Sequence, residues 1–222
     1  MPIRQNPVVI IFAKAPQPGQ VKTRLIPLLG AEGAAALQAR LIKHVLATAR
    51  AASLSHVELH CAPDNNDPFF RYCAGHYGVT VKAQAEGDLG ARMFCAFESA
   101  LAGHASVLLI GSDCPALTAR HLRQAERTLR DGADAVFVPC EDGGYALVGL
   151  HRVDPTLFEG IAWGGDKVMA ETRARLSALD WRWRELETLW DVDRPEDYAR
   201  LMDSGLLDTP RAAAEKIGSR NA

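Results

Sequence analysis

Apolar residues recur along this chain in two patterns that alternate from one end to the other. The first pattern is a short unbroken run rich in Val, Ile, Leu and Ala, which is typical of a strand buried on both faces of a sheet. Such runs predict strands at Val8–Ala13, Val57–Ala62, Val79–Ala83, Val107–Ile110, Ala135–Pro139 and Tyr145–Leu150. Trp181–Glu187 predicts a further strand, because alternation would place Trp181 and Trp183 on the same face.

The second pattern has the spacing of an amphipathic helix. Within Ala31–Ala52, the side chains of Leu37, Leu41 and Val45 form one apolar stripe. Similar spacing predicts further helices at Gly90–Ala102, Thr118–Asp131, Val168–Leu179 and Pro195–Ser204. The chain therefore alternates strands with helices along most of its length.

This alternation predicts the fold class. Strands separated by helices form a mostly parallel sheet with helices on both faces, which is a three-layer α/β/α arrangement. The segment Cys140–Gly144 is too short for a helical crossover, so the strands on either side of it are predicted to be antiparallel and the sheet to be mixed. Residues 1–207 are predicted to form one domain, and residues 208–222, which lack apolar periodicity, a C-terminal tail.

Composition excludes several classes of protein. The 222 residues are 48% hydrophobic and 23% charged, as in an ordinary soluble domain. A net charge of −2 argues against a nucleic-acid partner or a membrane surface. The five cysteines include no C-x-x-C pair, which indicates reduced thiols rather than a disulfide framework or a zinc site. The chain has neither a signal peptide nor an apolar stretch of about 20 residues, so the predicted location is the cytoplasm.

Candidate chemistry begins directly after the first strand. A loop rich in Pro and Gly follows it, and residues 1–30 carry four basic side chains and no acidic one. Arg and Lys bind phosphate oxygens, and glycine lets the backbone approach a ligand closely. The alternative is a basic surface loop, because the sequence matches neither the Walker pattern nor Gly-x-Gly-x-x-Gly. The residues predicted to bind a nucleotide here are Lys14, Gly19, Lys22, Thr23 and Arg24.

Carboxylates stand at two other strand ends. Asp113 follows the run Val107–Ile110, where an oxygen ligand for Mg²⁺ or Mn²⁺ is well placed. Asp191 and Asp193 would point to one side of an extended segment. The alternatives are structural: Asp113 would cap a turn or the helix near Thr118, and Asp193 would cap the last helix.

Three glycine-containing loops are candidate contacts for a substrate. In Glu141–Tyr145, Asp142 and Tyr145 are candidate catalytic residues, although Asp-Gly-Gly is also an ordinary turn signal. The segment Gln84–Met93 is either a nucleotide contact through Gln84, Gly87 and Arg92 or a strand-to-helix turn capped by Asp88. The segment Trp163–Asp166 is either a sugar-facing loop or a helix start capped by Asp166.

Taken in order, these segments resemble the GT-A superfamily of nucleotide-diphospho-sugar transferases, and most closely a bacterial glycosyltransferase-like branch. The resemblance spans about residues 7–203 and rests on Ala13–Leu25, Gly87–Met93, Gly111–Pro115, Asp142–Tyr145 and Asp191–Asp193. The segment Lys22–Leu25 is also similar to phospholactate guanylyltransferases and, more loosely, to molybdopterin-cofactor nucleotidyltransferases.

The resemblance implies roles for individual residues. The first loop would hold the nucleotide's phosphates through Gly19, Lys22 and Arg24, and the middle loop would meet the base through Gln84 and Gly87. Asp113 would bind Mg²⁺ or Mn²⁺, and Asp191 or Asp193 would supply a second acidic ligand. The Asp-x-Asp signature of metal-dependent glycosyltransferases is reduced to Gly111-Ser112-Asp113, with one carboxylate, which is closer to the nucleotidyltransferases.

Three functions remain open at this stage. The first is metal-dependent transfer of a sugar from a nucleotide-diphospho-sugar to an acceptor. The second is nucleotidyl transfer from a nucleoside triphosphate to a small phosphorylated acceptor, with release of pyrophosphate. The third is a non-catalytic nucleotide-binding module, which would leave the carboxylates without a function.

Overall fold

Seven strands form one mixed sheet in the order β3-β2-β1-β4-β6-β5-β7. The computed structural model describes residues 6–54 and 56–207, so the predicted tail at 208–222 lies outside the described residues. The strands are β1 (Val8–Lys14), β2 (His56–Ala62), β3 (Thr80–Ala83), β4 (Val107–Ile110), β5 (Ala135–Pro139), β6 (Tyr145–Leu150) and β7 (Trp183–Glu185).

Helices cover both faces of this sheet, which confirms the predicted α/β/α arrangement. They are α1 (Ile26–Ala52), α2 (Pro68–Tyr77), α3 (Leu89–Leu101), α4 (Ala119–Arg130), α5 (Val168–Ala178) and α6 (Pro195–Ser204), with short 3₁₀ helices at Thr23–Leu25 and Pro155–Leu157. One apolar core packs α1, α2 and α4 against the sheet, and a second packs α3 and α5 against the opposite face.

The strand pairing positions the functional loops. Strands β1 to β4 run parallel, and β7 runs parallel to β5. Strand β6 pairs antiparallel with β5, as predicted, and also antiparallel with β4, which the sequence does not predict. Because β6 lies between β4 and β5, those two strands point the same way, and the loops that follow β1, β4 and β5 lie at one edge of the sheet.

Helix α2 was not predicted from the apolar pattern. It begins at Pro68, and the Oδ1 atom of Asp67 accepts a hydrogen bond of 2.9 Å from the Phe69 amide. Only Phe70 and Cys73 of this helix are buried, so the sequence has no repeating apolar stripe there. Its start is therefore fixed by capping and by proline rather than by amphipathicity.

Helix α1 begins earlier than predicted and is interrupted near its start. Gly30 has φ 70° and ψ 167°, which are not helical angles, so the regular part of the helix begins near the predicted position. Residues 23–52 are long and apolar enough, by length and composition alone, to cross a membrane. Ile42, Val45 and Leu46 of this stretch are buried against the sheet, as expected for the core helix of a soluble α/β domain.

Two predicted helix caps are wrong. Arg194, not Asp193, stands at the N-cap of α6, where its amide donates a 2.8 Å hydrogen bond to Asp197 Oδ2. Lys167, not Asp166, stands at the N-cap of α5. In both cases the helix begins two residues beyond the acidic residue, so the residue between them is the N-cap.

The remaining cap alternatives differ in outcome. Asp88 does cap α3, since its Oδ1 atom accepts a 2.8 Å hydrogen bond from the Ala91 amide. Helix α4 is capped by Thr118, so Asp113 is not its cap. The carboxylates of Asp113 and Asp193 are therefore available for other contacts.

Gly149 leaves room for side chains of β4 and β5, the two strands beside β6, and replacing it should destabilise the fold. A Cβ atom at Gly149 in β6 would lie 2.6 Å from side-chain atoms of both Leu108 and Val136 on the neighbouring strands. We expect Gly149→Ala to lower the free energy of unfolding by about 1–3 kcal/mol, measured by urea titration, because the buried neighbours must move.

A matched control is Gly75→Ala in α2. A Cβ atom there meets no atom within 4 Å, and the backbone is helical. Alanine should stabilise this helix by about 0.5–1 kcal/mol. Equal effects of the two substitutions would contradict the packing described around β6.

Candidate active site at the carboxyl edge of the sheet

A buried lysine joins three segments at this edge. The Nζ atom of Lys22 lies 2.9 Å from Asp113 Oδ1 and donates a 2.7 Å hydrogen bond to the Val192 carbonyl. The Val192 amide in turn donates a 2.9 Å hydrogen bond to the Asp113 carbonyl. The Lys22 side chain is only 4% exposed. Lys22 therefore fixes the loop after β1, the loop after β4 and the segment before α6 relative to one another.

The loop after β1 turns sharply in order to bury this lysine. Lys22 itself has φ 47°, in the left-handed region, and Gly19 has φ 77°. A side chain in that region costs of order 1 kcal/mol, which the buried ion pair offsets. Lys14 supports the turn, because its Nζ atom donates a 2.8 Å hydrogen bond to the Gln20 carbonyl.

Asp113 is held on one side only. Its Oδ1 atom accepts hydrogen bonds from Lys22 and, at 3.2 Å, from the Ser112 hydroxyl, which in turn accepts a 3.2 Å hydrogen bond from Gln38 Nε2. Its other oxygen has no protein partner in residues 6–54 and 56–207, and the side chain is 48% exposed. Asp113 thus presents one carboxylate oxygen to solvent or to a ligand.

The other predicted metal ligands lie close to Asp113 but differ in their partners. Asp193 forms an ion pair with Arg24. Asp191 groups instead with Cys140 and Asp142, and the ligand atoms of these three side chains all lie within 4.8 Å of one another. Asp142 Oδ1 accepts a 2.9 Å hydrogen bond from the Gly144 amide. The fold therefore brings Asp142 into the group of carboxylates that the sequence predicts only from Asp113, Asp191 and Asp193.

The electrostatics of this group are unfavourable without a cation. The pKa of Asp191 is raised to about 6, first by burial and then by the charges of Asp142 and Asp113, which together outweigh a backbone hydrogen bond and the charge of Lys22 that lower it. The pKa of the Cys140 thiol lies above its usual range, first because of a hydrogen bond to Cys114 and then because of burial. Carboxylate oxygens are favoured ligands of divalent cations, so Asp142 and Asp191 fit the implied metal.

Two cavities meet at Asp113. We call the first the acidic cavity; it has a volume of about 330 Å³, and its lining includes Asp113, Asp142, Asp191, Asp193, Tyr145 and Trp163. We call the second the basic cavity; it has a volume of about 770 Å³, and its lining includes Lys14, Lys22, Gln84, Arg92 and Asp113. Phe12, Leu89 and Gly111 also line both cavities, so the two cavities are adjacent.

Not all predicted nucleotide contacts line the basic cavity. Lys14, Lys22, Gln84 and Arg92 do, whereas Gly19, Thr23, Arg24 and Gly87 do not. Gly87 contributes through its carbonyl, which accepts a 2.8 Å hydrogen bond from Arg92 Nε. The side-chain nitrogen Nε2 of Gln84 donates a 2.9 Å hydrogen bond to the His60 carbonyl, so the side-chain carbonyl of Gln84 points away from His60.

Tyr145 lines the acidic cavity but does not offer its hydroxyl. The hydroxyl oxygen is buried without a hydrogen-bond partner among the described residues, and burial raises the pKa of Tyr145 above its usual value. The indole nitrogen of Trp163 is buried and unpartnered in the same way. Both residues therefore contribute ring surface rather than catalytic protons.

Three contributors were missed by sequence reasoning. Cys140 and Cys114 line the acidic cavity, and the Val192 carbonyl accepts the hydrogen bond from Lys22. The cysteines follow buried strands just as Asp113 does, which is the signal that could have identified them. No sequence signal marks the Val192 carbonyl, since every residue has one.

Solved structures of similar fold are known. A protein of Desulfovibrio desulfuricans G20, provisionally described as a nucleotide-diphospho-sugar transferase, is 27% identical with a TM-score of 0.83, covering 97% of this chain and 92% of that one. A nucleotidyl transferase of Methanothermobacter thermautotroptrophicus is 14% identical with a TM-score of 0.63, covering 93% and 100%. Rv0371c of Mycobacterium tuberculosis H37Rv, solved with manganese, is 18% identical with a TM-score of 0.57, covering 90% and 100%.

The fold is shared by nucleotide-diphospho-sugar transferases and nucleotidyl transferases, and these similarities indicate a transferase, as the sequence resemblance predicts. The chain belongs to the bacterial family described as "uncharacterized protein conserved in bacteria" (DUF2064), which it matches over residues 45–165. No curated protein matches the chain in sequence.

Removing the buried lysine should destabilise the site and the fold together. We expect Lys22→Met to lower the free energy of unfolding by about 1–3 kcal/mol, because the Val192 carbonyl and Asp113 lose their shared partner. Lys14→Met is the control, since Lys14 is exposed and should cost less than about 0.5 kcal/mol. Equal losses by urea titration would show that Lys22 does not join the segments.

The raised pKa of Asp191 predicts a pH dependence of the metal-free protein. The stability that the neutral Asp191 contributes is present below its unfolded pKa near 4 and is lost as pH rises through about 6. Asp191→Asn should therefore be more stable than wild type by about 1–2 kcal/mol at pH 7.5 and nearly equal to it at pH 4. Asp203→Asn on the exposed face of α6 is the control. A gain that does not vary with pH in urea titrations would contradict this prediction.

Proposed function

We propose that this chain is a metal-dependent transferase that moves a sugar from a nucleotide-diphospho-sugar to an acceptor. The observation that carries the proposal is the junction of a basic and an acidic cavity at Asp113. A nucleotide-diphospho-sugar has the matching order of parts: a base and ribose, then an anionic diphosphate, then a sugar.

The basic cavity suits the nucleotide. Lys14, Lys22 and Arg92 supply positive charge for phosphate oxygens. An ammonium group has three donors, and Lys22 uses two of them on Asp113 and Val192, so one remains for a phosphate at the junction. The side-chain carbonyl of Gln84 is available to accept a hydrogen bond from a base.

The acidic cavity suits the sugar and the acceptor. Trp163, Met93 and Leu109 give it an apolar wall against which a sugar ring can pack, and the carboxylates can accept hydrogen bonds from hydroxyl groups. Asp142 and Asp191 would hold a divalent cation, which would supply charge neutralisation for the diphosphate leaving group. Mg²⁺ and Mn²⁺ are the cations that the sequence resemblance implies.

Asp113 is the carboxylate best placed to move a proton. It lines both cavities, and one of its oxygens has no protein partner in the described residues. An acceptor oxygen would bond to the anomeric carbon as the bond from that carbon to the diphosphate breaks. The hydroxyl proton of the acceptor would pass to Asp113, and Lys22 would stabilise the negative charge on the departing diphosphate. Asp142, the catalytic candidate from sequence, becomes a metal ligand in this proposal.

Nucleotidyl transfer from a nucleoside triphosphate is the second candidate. The three cations that line the basic cavity match the charge of a triphosphate, and one solved neighbour is named a nucleotidyl transferase. A second neighbour is provisionally named a nucleotide-diphospho-sugar transferase, and a third was solved with manganese, which supports the sugar-transfer proposal and its divalent cation. We also propose a cytoplasmic location, which the free thiols of all five cysteines support.

Ligand-induced stabilisation tests the proposal. The protein would be melted with each common nucleoside triphosphate and nucleotide-diphospho-sugar, with and without Mg²⁺ or Mn²⁺. A ligand present at 100 times its Kd adds about 2.7 kcal/mol of stability. We expect the largest metal-dependent stabilisation with one nucleotide-diphospho-sugar. Stabilisation confined to a triphosphate would establish the second candidate instead, and no stabilisation by any nucleotide would refute both.

Variants of the basic cavity sharpen this test. Lys14→Met should weaken binding of the selected nucleotide about tenfold, or ~1.4 kcal/mol, through loss of one charge-assisted contact to phosphate. Lys43→Met on the outer face of α1, where Lys43 lies over the Tyr72 ring, is the matched control and should bind normally. If calorimetry gave equal affinities for the two variants, the proposal that the nucleotide binds in the basic cavity would be contradicted.

A further inference from the structure

The acidic cavity contains sulfur as well as oxygen. Cys114 and Cys140 both line it, although they are only 5% and 8% exposed. Cys114 follows Asp113 after β4, and Cys140 directly follows the last residue of β5. These positions are far apart in the sequence, so spacing motifs for metal sites cannot detect them.

The ligand atoms around Cys140 are close enough to share one ion. The Sγ atom of Cys140 and carboxylate oxygens of Asp142 and Asp191 lie within 4.8 Å of one another. In zinc sites these atoms are about 2.0–2.3 Å from the metal and hence roughly 3.5 Å apart. Side-chain rotations that move the three ligand atoms by about 1 Å would therefore bring them to this spacing. A catalytic zinc site usually has three protein ligands and a fourth coordination position that water or substrate takes.

Charge at the site also calls for a cation at this position. Asp113 is paired with Lys22, and Asp193 with Arg24. Within residues 6–54 and 56–207, Asp142 and Asp191 have no salt-bridge partner. Two unpaired carboxylates beside a buried pair of thiols form a mixed oxygen and sulfur donor set. Thiolate ligands select Zn²⁺, whereas Mg²⁺ prefers oxygen ligands alone.

We propose that Cys140, Asp142 and Asp191 form a mixed thiol–carboxylate site that selects Zn²⁺ over Mg²⁺. On binding, the proton of the Cys140 thiol is released to solvent and a sulfur–zinc bond forms, so that zinc is bound by one thiolate and two carboxylates. The proposal deepens the proposed function, because it names the metal at the carboxylates that transfer would use. Zinc binding itself requires no nucleotide.

Cobalt substitution tests this site directly. Co²⁺ bound to a thiolate gives a sulfur-to-metal charge-transfer band in the near ultraviolet, which carboxylate-bound Co²⁺ lacks. We expect metal-free protein to develop this band with one equivalent of Co²⁺. Zn²⁺ should abolish the band by displacement, because a site with a thiolate ligand selects Zn²⁺. Mg²⁺ in about a thousandfold excess should leave the band unchanged. Absence of the band, or its loss on adding Mg²⁺, would overturn the proposal.

Variants assign the band to individual residues. Cys140→Ser should abolish the band, whereas Cys114→Ser, in the same cavity but outside the ligand set, should retain it. Cys95→Ser removes an exposed thiol that could bind metal adventitiously and should also retain the band. A band that persists in Cys140→Ser, or that disappears in Cys95→Ser, would refute the assignment.

A second variant keeps the test independent of folding. If Cys140→Ser does not fold, Asp191→Asn replaces a carboxylate ligand without removing the thiol, and it should weaken Co²⁺ binding at least tenfold. Unchanged affinity would refute the ligand set. Failure of the nucleotide panel with an intact cobalt band would refute the proposed transfer and leave this site standing, so the two proposals fail separately.

Discussion

The site depends on one ion pair, between the buried ammonium of Lys22 and the half-exposed carboxylate of Asp113. Three segments from distant parts of the sequence meet at the Lys22 ammonium, which is almost fully removed from solvent. A buried charge is costly unless it is paired and hydrogen-bonded, so the ammonium can remain there only if all three segments are in place. The left-handed backbone at Lys22 is tolerated for the same reason. The geometry of both cavities follows from this contact, since Asp113 forms part of each.

The same contact divides the carboxylates into two kinds. Asp113 and Asp193 are neutralised by basic residues of the loop after β1, whereas Asp142 and Asp191 are left facing each other. The basic loop therefore decides which of the four carboxylates lack a positively charged partner among the described residues. The raised pKa of Asp191 is the electrostatic consequence, because a buried carboxylate beside two others is destabilised in its charged form.

Local sequence patterns predicted most of the fold because they depend on residues that are near in the chain. The runs at Val107–Ile110 and Ala135–Pro139 were predicted with their observed bounds, since a strand buried on both faces must be apolar throughout. The second antiparallel pairing of β6 was not predicted, because it joins β6 to a strand from much earlier in the chain. Helix α2 was not predicted, because only two of its residues are buried and its sequence therefore has no apolar stripe.

The site was predicted in part for a similar reason. Carboxylates that follow strands are readable from sequence, because parallel strands end at a common edge, and Asp113 was identified in this way. Which carboxylate forms an ion pair with which basic side chain depends on how the loops lie relative to one another in the folded chain. Hence the contact of Arg24 with Asp193, and the grouping of Asp142 with Asp191, required the structure.

The insertion of β6 explains why a cavity exists beside the carboxylates at all. Neighbouring strands are about 4.8 Å apart, so β4 and β5, with β6 between them, are roughly 10 Å apart. Because β6 runs the opposite way, it begins at the edge where β4 and β5 end. The loops after β4 and β5 therefore border a gap whose floor is the first half of β6, including Tyr145 and Ala146. A fully parallel sheet would place a strand end and its loop in that gap. The reversed strand is thus the feature that makes room for the acidic cavity next to the basic cavity.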